Sequence, residues 1–281
     1  LLPGVPASVV VMPTTLPGVL TRGSIGMPYG GQMPGTSFDR VADIYDDTRG
    51  GQRRGDHFAD DLSPWIVGPS VVELGVGTGV IANGLRGLGH DVVGVDLSEA
   101  MIRVAQSRIG SRVAIADVDL LPFADGSIDS AYLVWVLHLV QDPFATLREA
   151  ARVVRTGGRV ATITSSSVYD DSDEIAPIVD RLAPLRQARL DHNALVLSDH
   201  PMLQLVHEGF TKWDEHETVP SAEADAIAQR IYSSLFDVDD ATWERVVVPV
   251  VDALRALPDP DRPRRRRNRH PIVVWTVAAG V

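Results

Sequence analysis

Three glycines at alternate positions follow an acid in "VVELGVGTGVIANGL", residues 71–85: Glu73, then Gly75, Gly77 and Gly79. Glycine loses more backbone freedom on folding than any other residue, so this density marks a turn other residues cannot make, or a ligand lying against backbone. The turn stands between an apolar run and a helical stretch, whose first N–H groups are free to meet a ligand. Asp96 closes the next apolar run about twenty residues on, the distance at which an acid can hold both hydroxyls of a ribose. The chemistry indicated is the seating of a nucleoside-bearing cofactor at the end of a strand. A dinucleotide turn requires GxGxxG, but position 80 is Val, which disfavours a nicotinamide-dependent oxidoreductase. The spacing present is ExGxGxG.

Other residues could carry chemistry beside that turn. His138 follows a later apolar run and is the best general base, a role worth about 10²–10⁴-fold where an acceptor must lose a proton; its alternative is structural, packed beside Trp135. His192, His200, His207 and His216 are spaced by 8, 7 and 9 residues, matching no metal-binding helix motif, so no metal is expected. "DRPRRRRNRH", residues 261–270, holds six arginines and reads as a solvated loop, with a clamp for an anionic acceptor as the alternative. The absence of cysteine excludes disulfides and thiolate chemistry and fits the cytoplasm.

Alternating strand and helix signals position these residues. "SFDRVADIYDDTRG" sets Phe38, Val41, Ala42 and Tyr45 on one helical face. "SVVELGV", "HDVVGVDLS", "RVAIADVD", "SIDSAYLVWVL" and "GGRVATITS" read as strands, and "GVIANGLRGLG", "SEAMIRVAQSRI" and "FATLREAARVV" as helices. "GFTKWDEHETVP" reads as a sixth strand, and "PIVVWTVAA" as a last strand at the sheet edge behind the arginine loop. Nearly continuous apolar strands with helical crossovers predict an α/β fold with a doubly wound, mostly parallel, seven-stranded Rossmann-like sheet. After Ser165 the rhythm breaks. Residues 166–208 read as mostly helical and 221–257 as two helices, a lid over the carboxyl edge of the sheet.

Residues 1–36 carry one charge, Arg22, amid repeated Pro and Gly. Pro3, Pro6, Pro13 and Pro17 interrupt each apolar stretch, so no membrane-spanning helix of about 20 residues forms there. The composition predicts a mobile or loosely docked arm; the alternative is an arm folded over its own active site or over a neighbouring subunit of a homo-oligomer. Residues 37–281 are expected to form one folded domain, with the lid segments at 166–208 and 221–257 inserted in it. The net charge of −11 argues against a broad nucleic-acid-binding surface.

ExGxGxG resembles the first motif of class I S-adenosylmethionine-dependent methyltransferases. The likeness continues through residues 38–164: "FDRVADIYDDTR" is similar to the family's opening helix, "VVGVDLSEAMI" to its second motif and "ADVDLLPFADGSID" to its third. "WVLHLVQDP" and "REAARVVRTGG" resemble the segments around and after its fourth strand. Together they point to the small-molecule branch, which includes quinone and natural-product tailoring enzymes. The resemblance implies S-adenosylmethionine as cofactor and a small-molecule acceptor. It implies that Gly75, Val76 and Gly77 carry the methionine end along backbone, with Glu73 orienting the turn. Asp96 would hold the ribose hydroxyls, Leu97 would pack on the adenine, and Asp117 and the Val118 N–H would read the adenine edge. Val134 would offer backbone to the methionine ammonium, and Tyr45 would stand near the methyl-transfer point. With His138 as base, the rate should fall below about pH 6.5, where free imidazole protonates. A cofactor-binding protein without catalysis is the other class these residues allow.

Overall fold

A computed structural model describes residues 38–185 and 200–279. The 1–36 arm, His192 and the middle of the first lid segment lie outside the described residues. The strands are β1 (Ser70–Leu74), β2 (Asp91–Asp96), β3 (Val113–Ile115), β4 (Ile128–Val134), β5 (Val154–Ile163), β6 (Val168–Tyr169), β7 (Leu203–Phe210), β8 (Asp214–Thr218), β9 (Arg264–Arg269) and β10 (Pro271–Val277). Seven of them form the main sheet in the order β3-β2-β1-β4-β5-β10-β7. Pairing is parallel from β3 to β5, and β10 is the reversed strand, antiparallel to both β5 and β7.

Successive strand residues point to opposite faces, and both faces are covered. Val72, Leu74, Val95, Leu133, Val160 and Trp275 enter one apolar layer. Helix α1 (Tyr45–Arg49) precedes α2 (Gly51–Leu62), α3 (Val80–Gly87) and α4 (Glu99–Ile109), and the last three cover the other face through Phe58, Leu62, Ile81, Leu85 and Ile102. Helix α5 (Pro143–Val153) packs Leu147 and Ala150 on the first layer. Its start is set locally: Pro143 stands at the first turn, and the Asp142 carboxylate accepts the Phe144 and Ala145 amides.

The late helices have a core of their own. Helices α6 (Ala176–Val179), α7 (Pro220–Ala228) and α8 (Val248–Arg255) bury Ile178, Ala224, Ile227, Val250, Val251 and Leu254 together. The turn before α8, Trp243–Val247, is a π-helix. Pro249 lacks the amide that would bond the Arg245 carbonyl, and the ladder opens there.

Several sequence expectations are corrected. The stretch expected as a sixth strand is divided: Leu203–Phe210 is the edge strand of the main sheet, taking 203–208 out of the expected lid, and Asp214–Thr218 joins a second sheet, β6-β9-β8. The last strand, β10, is interior instead of an edge. The arginine run is no loop; it forms β9, the middle strand of the second sheet. Acids answer it across the ladder, Glu215 opposite Arg267 and Glu217 opposite Arg265, while buried Arg266 meets Asp173 at 2.7 Å. Four arginines of the run are ion-paired: Arg264 with Glu174, Arg265 with Glu215, Arg266 with Asp173, and Arg267 with Asp170 and Glu215. Helix α2 carried too few apolar residues to announce itself in "GQRRGDHFADDL".

Candidate active site

The strand order reverses at β1, whose neighbours β2 and β4 lead to opposite sides of the sheet. Such a point opens a crevice at the carboxyl ends of the strands. Gly75, Gly77 and Gly79 all take positive φ there, +76°, +53° and +80°. A Cβ on Gly75 would stand 2.4 Å from Val136 Cγ2, whereas one on Gly77 would meet nothing within 4 Å. Both positions need glycine for their backbone conformation, but the bare side of Gly77 alone opens onto space a ligand can use.

Asp96 ties this turn to the end of β2. Its Oδ2 accepts the Gly77 amide at 2.8 Å and its Oδ1 accepts the Ser98 amide at 2.9 Å. Burial pushes Asp96 above the ordinary carboxylate range, against the opposing pull of those amides. Leu97 follows, half-buried. The Ala116 amide donates to the Asp96 carbonyl at 3.1 Å, which sets Asp117 beside the same crevice. Asp117 Oδ1 accepts the Asp119 amide at 2.9 Å, and Val118 is buried.

Val76 and Glu73 act from below. The Val76 amide donates to the Val95 carbonyl, its carbonyl accepts the Gly79 amide, and its side chain is buried. Val76 therefore shapes the turn from inside. Glu73 Oε2 accepts the Tyr132 hydroxyl at 2.9 Å and the Ala82 amide at 3.1 Å. It anchors the helix that follows the turn.

The opening segment closes over the glycine turn from above. Asp46 accepts the Thr78 hydroxyl at 2.6 Å and pairs with Arg108, which donates to the Thr78 carbonyl at 2.6 Å. Asp39 accepts the Ser98 hydroxyl at 2.5 Å. Tyr45 stands between Phe38 and Arg49, with ring centroids 6.5 Å apart and the guanidinium 5.5 Å from the ring. Arg49 in turn stacks on Tyr232 at 4.2 Å and donates to the Ile231 carbonyl. Arg49 thus links the Tyr45 ring to Tyr232 of the late helical segment.

At the end of β4, Val134 is buried and Trp135 takes φ +56°, with its amide donating to the Ile163 carbonyl at 2.9 Å. A bulky residue in that backbone region is uncommon and marks a constrained site. Its ring meets Phe58 and His270, each at 5.2 Å, and the Arg54 guanidinium at 4.2 Å. His138 follows in the same loop. Burial pushes its imidazole down to about 4, so the ring is neutral across the physiological range.

The imidazole packed beside Trp135 is His270, not the expected His138. Its Nδ1 lies 3.0 Å from the Ser166 carbonyl, and its Nε2 lies 3.3 Å from Arg54 Nη2 and 3.1 Å from Asn268 Nδ2. These partners assign the proton to Nδ1, because the Ser166 carbonyl can only accept and the Arg54 guanidinium can only donate. Burial, with the nearby Arg54 charge, lowers the ring to about 3. Sequence reasoning missed Arg54, Trp135 and His270 as a group; the positive φ and the stacking that unite them have no local signature. Among the described residues, no group of three or more His, Asp or Glu side chains could hold a metal ion.

With this geometry in place, comparison with known proteins is informative. Residues 72–162 match the family described as "Methyltransferase domain". The chain is 32% identical over 190 residues to a demethylmenaquinone methyltransferase of Corynebacterium efficiens, covering 64% of this chain and 78% of that protein. It is 34% identical over 154 residues to the protein of the same description from Corynebacterium kroppenstedtii, covering 54% of this chain and 64% of that one. For the first five such relatives the chain spans 52–64% of their own length. In fold it is similar to an S-adenosylmethionine-dependent methyltransferase of Thermotoga maritima, with a TM-score of 0.51 and 16% identity over 88% of this chain and all of that one. The sheet order, the glycine turn bound to Asp96 and this similarity converge: the chain belongs to the class I S-adenosylmethionine-dependent methyltransferases, in their small-molecule branch.

Proposed function

We propose that the protein transfers a methyl group from S-adenosylmethionine to a small organic acceptor held at the carboxyl edge of its sheet. The observation that carries this reading is the pairing of the open Gly77 backbone with the Asp96 carboxylate. Each Asp96 oxygen takes one backbone amide and keeps a second lone pair, so a vicinal pair of ribose hydroxyls can be held without loss of the turn. The fit extends along the edge. Leu97 offers an apolar wall for the adenine, and Asp117 with the Val118 amide can read its polar edge. Val134 and the turn from Gly75 to Gly77 line the methionine end.

The cofactor, when bound, supplies an electrophilic methyl group and most of the driving force for transfer. The chain contributes alignment, worth up to about 7–11 kcal/mol in well-oriented reactions. Tyr45, linked through Arg49 to Tyr232, positions the acceptor. His138, neutral at physiological pH, can accept a proton from an acceptor hydroxyl. The relatives are described as demethylmenaquinone methyltransferases, which favours a quinone-type acceptor over a macromolecular one. A chain of net charge −11 suits a small molecule better than nucleic acid, and a cysteine-free chain suits the cytoplasm. Among the described residues no helix is long and apolar enough to cross a membrane.

Calorimetry with S-adenosylmethionine and with NAD, followed by detection of S-adenosylhomocysteine on a panel of quinols and phenols, tests the reading. Binding of the first cofactor alone, with product formed on at least one acceptor, is expected. Preference for NAD would overturn it, and tight binding without product on any acceptor would favour a non-catalytic role.

A further inference from the structure

Arg54 on α2 belongs to the carboxyl edge but not to the cofactor turn. Its guanidinium lies 4.2 Å from the Trp135 ring and 5.6 Å from the Phe58 ring, with Nη2 3.3 Å from His270 Nε2. Trp135 follows β4, Ser166 lies just beyond β5, and His270 immediately precedes β10. Gly77, Asp96 and Asp117 instead follow β1, β2 and β3. In the order of the sheet these groups lie on opposite sides of the β1–β4 crevice, so Arg54 stands on the side left to the acceptor.

A guanidinium offers five N–H donors. Among the described residues, the Arg54 side chain makes one hydrogen bond, to His270, and its buried Nε has no hydrogen-bond acceptor. The nearby carboxylate, Asp214, lies 3.7 Å from Nε, too far for a hydrogen bond. Its other oxygen is held at 2.6 Å by Arg53, so one carboxylate serves two guanidinium groups. The Trp135 indole Nε1 is likewise buried without a partner. Two buried donors without a hydrogen-bond acceptor on stacked side chains are costly in a folded chain, even with Arg54 ion-paired to Asp214. A ligand oxygen that accepts from these donors offsets that cost. His270 accepts from Arg54 and Asn268 through the same nitrogen; it positions the guanidinium against the indole.

We infer that Arg54 and the Trp135 indole N–H form a binding subsite for an anionic oxygen of the acceptor, a carboxylate or an ionised hydroxyl. The inference rests on the methyltransferase reading above, and it narrows the acceptor to molecules that carry such a group. A planar guanidinium stacked on indole presents its remaining donors in one plane, the arrangement that pairs with a carboxylate or phenolate oxygen.

The test is calorimetric titration of the full chain, saturated with S-adenosylhomocysteine, with benzoate, 4-nitrophenolate and neutral benzamide. At least one anion should bind, and benzamide should bind about tenfold more weakly or worse. Arg54→Gln should weaken the anion by about ten- to hundredfold and leave S-adenosylhomocysteine affinity within about twofold. Trp135→Phe keeps the stacked ring and removes only the N–H, so it should cost about three- to tenfold even if the arginine variant folds poorly. Preference between benzoate and 4-nitrophenolate identifies the kind of oxygen. Equal binding of benzamide, failure of both anions to bind a wild-type protein that holds S-adenosylhomocysteine, or a tenfold loss of S-adenosylhomocysteine in Arg54→Gln would overturn the inference. The last result would assign the guanidinium to the cofactor's own carboxylate. Failure of wild type to bind S-adenosylhomocysteine at all would instead refute the underlying methyltransferase reading.

Discussion

Glu73 carries a carboxyl group into the centre of the sheet, 2% exposed, on the strand that delivers the glycine turn. Burial pushes it up to about 8, outweighing the hydrogen bonds from Tyr132 and the Ala82 amide, and the Asp96 charge adds to the rise. In the unfolded chain the same group titrates near 4.5. Between those two values the native state holds a proton that the unfolded chain has released. Stability from this group is therefore complete below about pH 4.5 and falls as pH rises to about 8. Each unit is worth about 1.4 kcal/mol, so the interval of about 3.5 units removes about 5 kcal/mol. Glu73→Gln keeps a carbonyl oxygen for both donors and cannot ionise. Urea unfolding of both proteins at pH 5.5 and 7.5 isolates the effect: over that interval the variant should gain roughly 2–3 kcal/mol relative to wild type. Affinity for S-adenosylhomocysteine should change by no more than about twofold, because the turn keeps its anchor. Parallel stability profiles for the two proteins would show that Glu73 is ionised in the native state and that the argument from burial fails.

Asp96→Ala should weaken S-adenosylhomocysteine binding by about 1.5–3 kcal/mol, the loss expected for charge-assisted hydrogen bonds; unchanged calorimetric affinity with a native melting curve would remove Asp96 from the ribose site. Alanine at Gly75 meets Val136 at 2.4 Å, whereas at Gly77 it meets no protein atom within 4 Å. Gly75→Ala should chiefly lower the melting temperature, and Gly77→Ala should chiefly lower cofactor affinity, with a backbone cost of about 1–2 kcal/mol at each; the reverse pattern would place the ligand elsewhere. His138→Ala should lower turnover on a hydroxyl acceptor by about 10²–10⁴-fold with cofactor affinity kept. Since a ring lowered to about 4 is neutral and able to accept a proton above that value, the wild-type rate should stay level down to about pH 5 and fall near pH 4. An acid limb near pH 6.5 would mean that the imidazole is solvated during turnover.

The sequence by itself determined the elements from β1 to β5 and the residues at their carboxyl ends. Those signals are local: a buried strand needs a continuous apolar run, and a left-handed turn needs glycine at Gly75 and Gly77 whatever packs around it. Asp96 could be placed near the turn because a short helical crossover lays β2 beside β1. The arginine strand escaped such reading, because Arg266 is a buried strand residue only once Asp173, 93 positions away in the chain, is packed beside it. His138 was placed correctly after β4, but its proton affinity depends on desolvation by neighbours that no local pattern specifies. Arg54 and His270 are 216 positions apart, and they share a site with Trp135 only because β10 is laid between β5 and β7. Local chemistry marked the glycine turn and Asp96; the group of Arg54, Trp135 and His270, whose partners and burial arise only when remote segments meet, was decided by the tertiary fold.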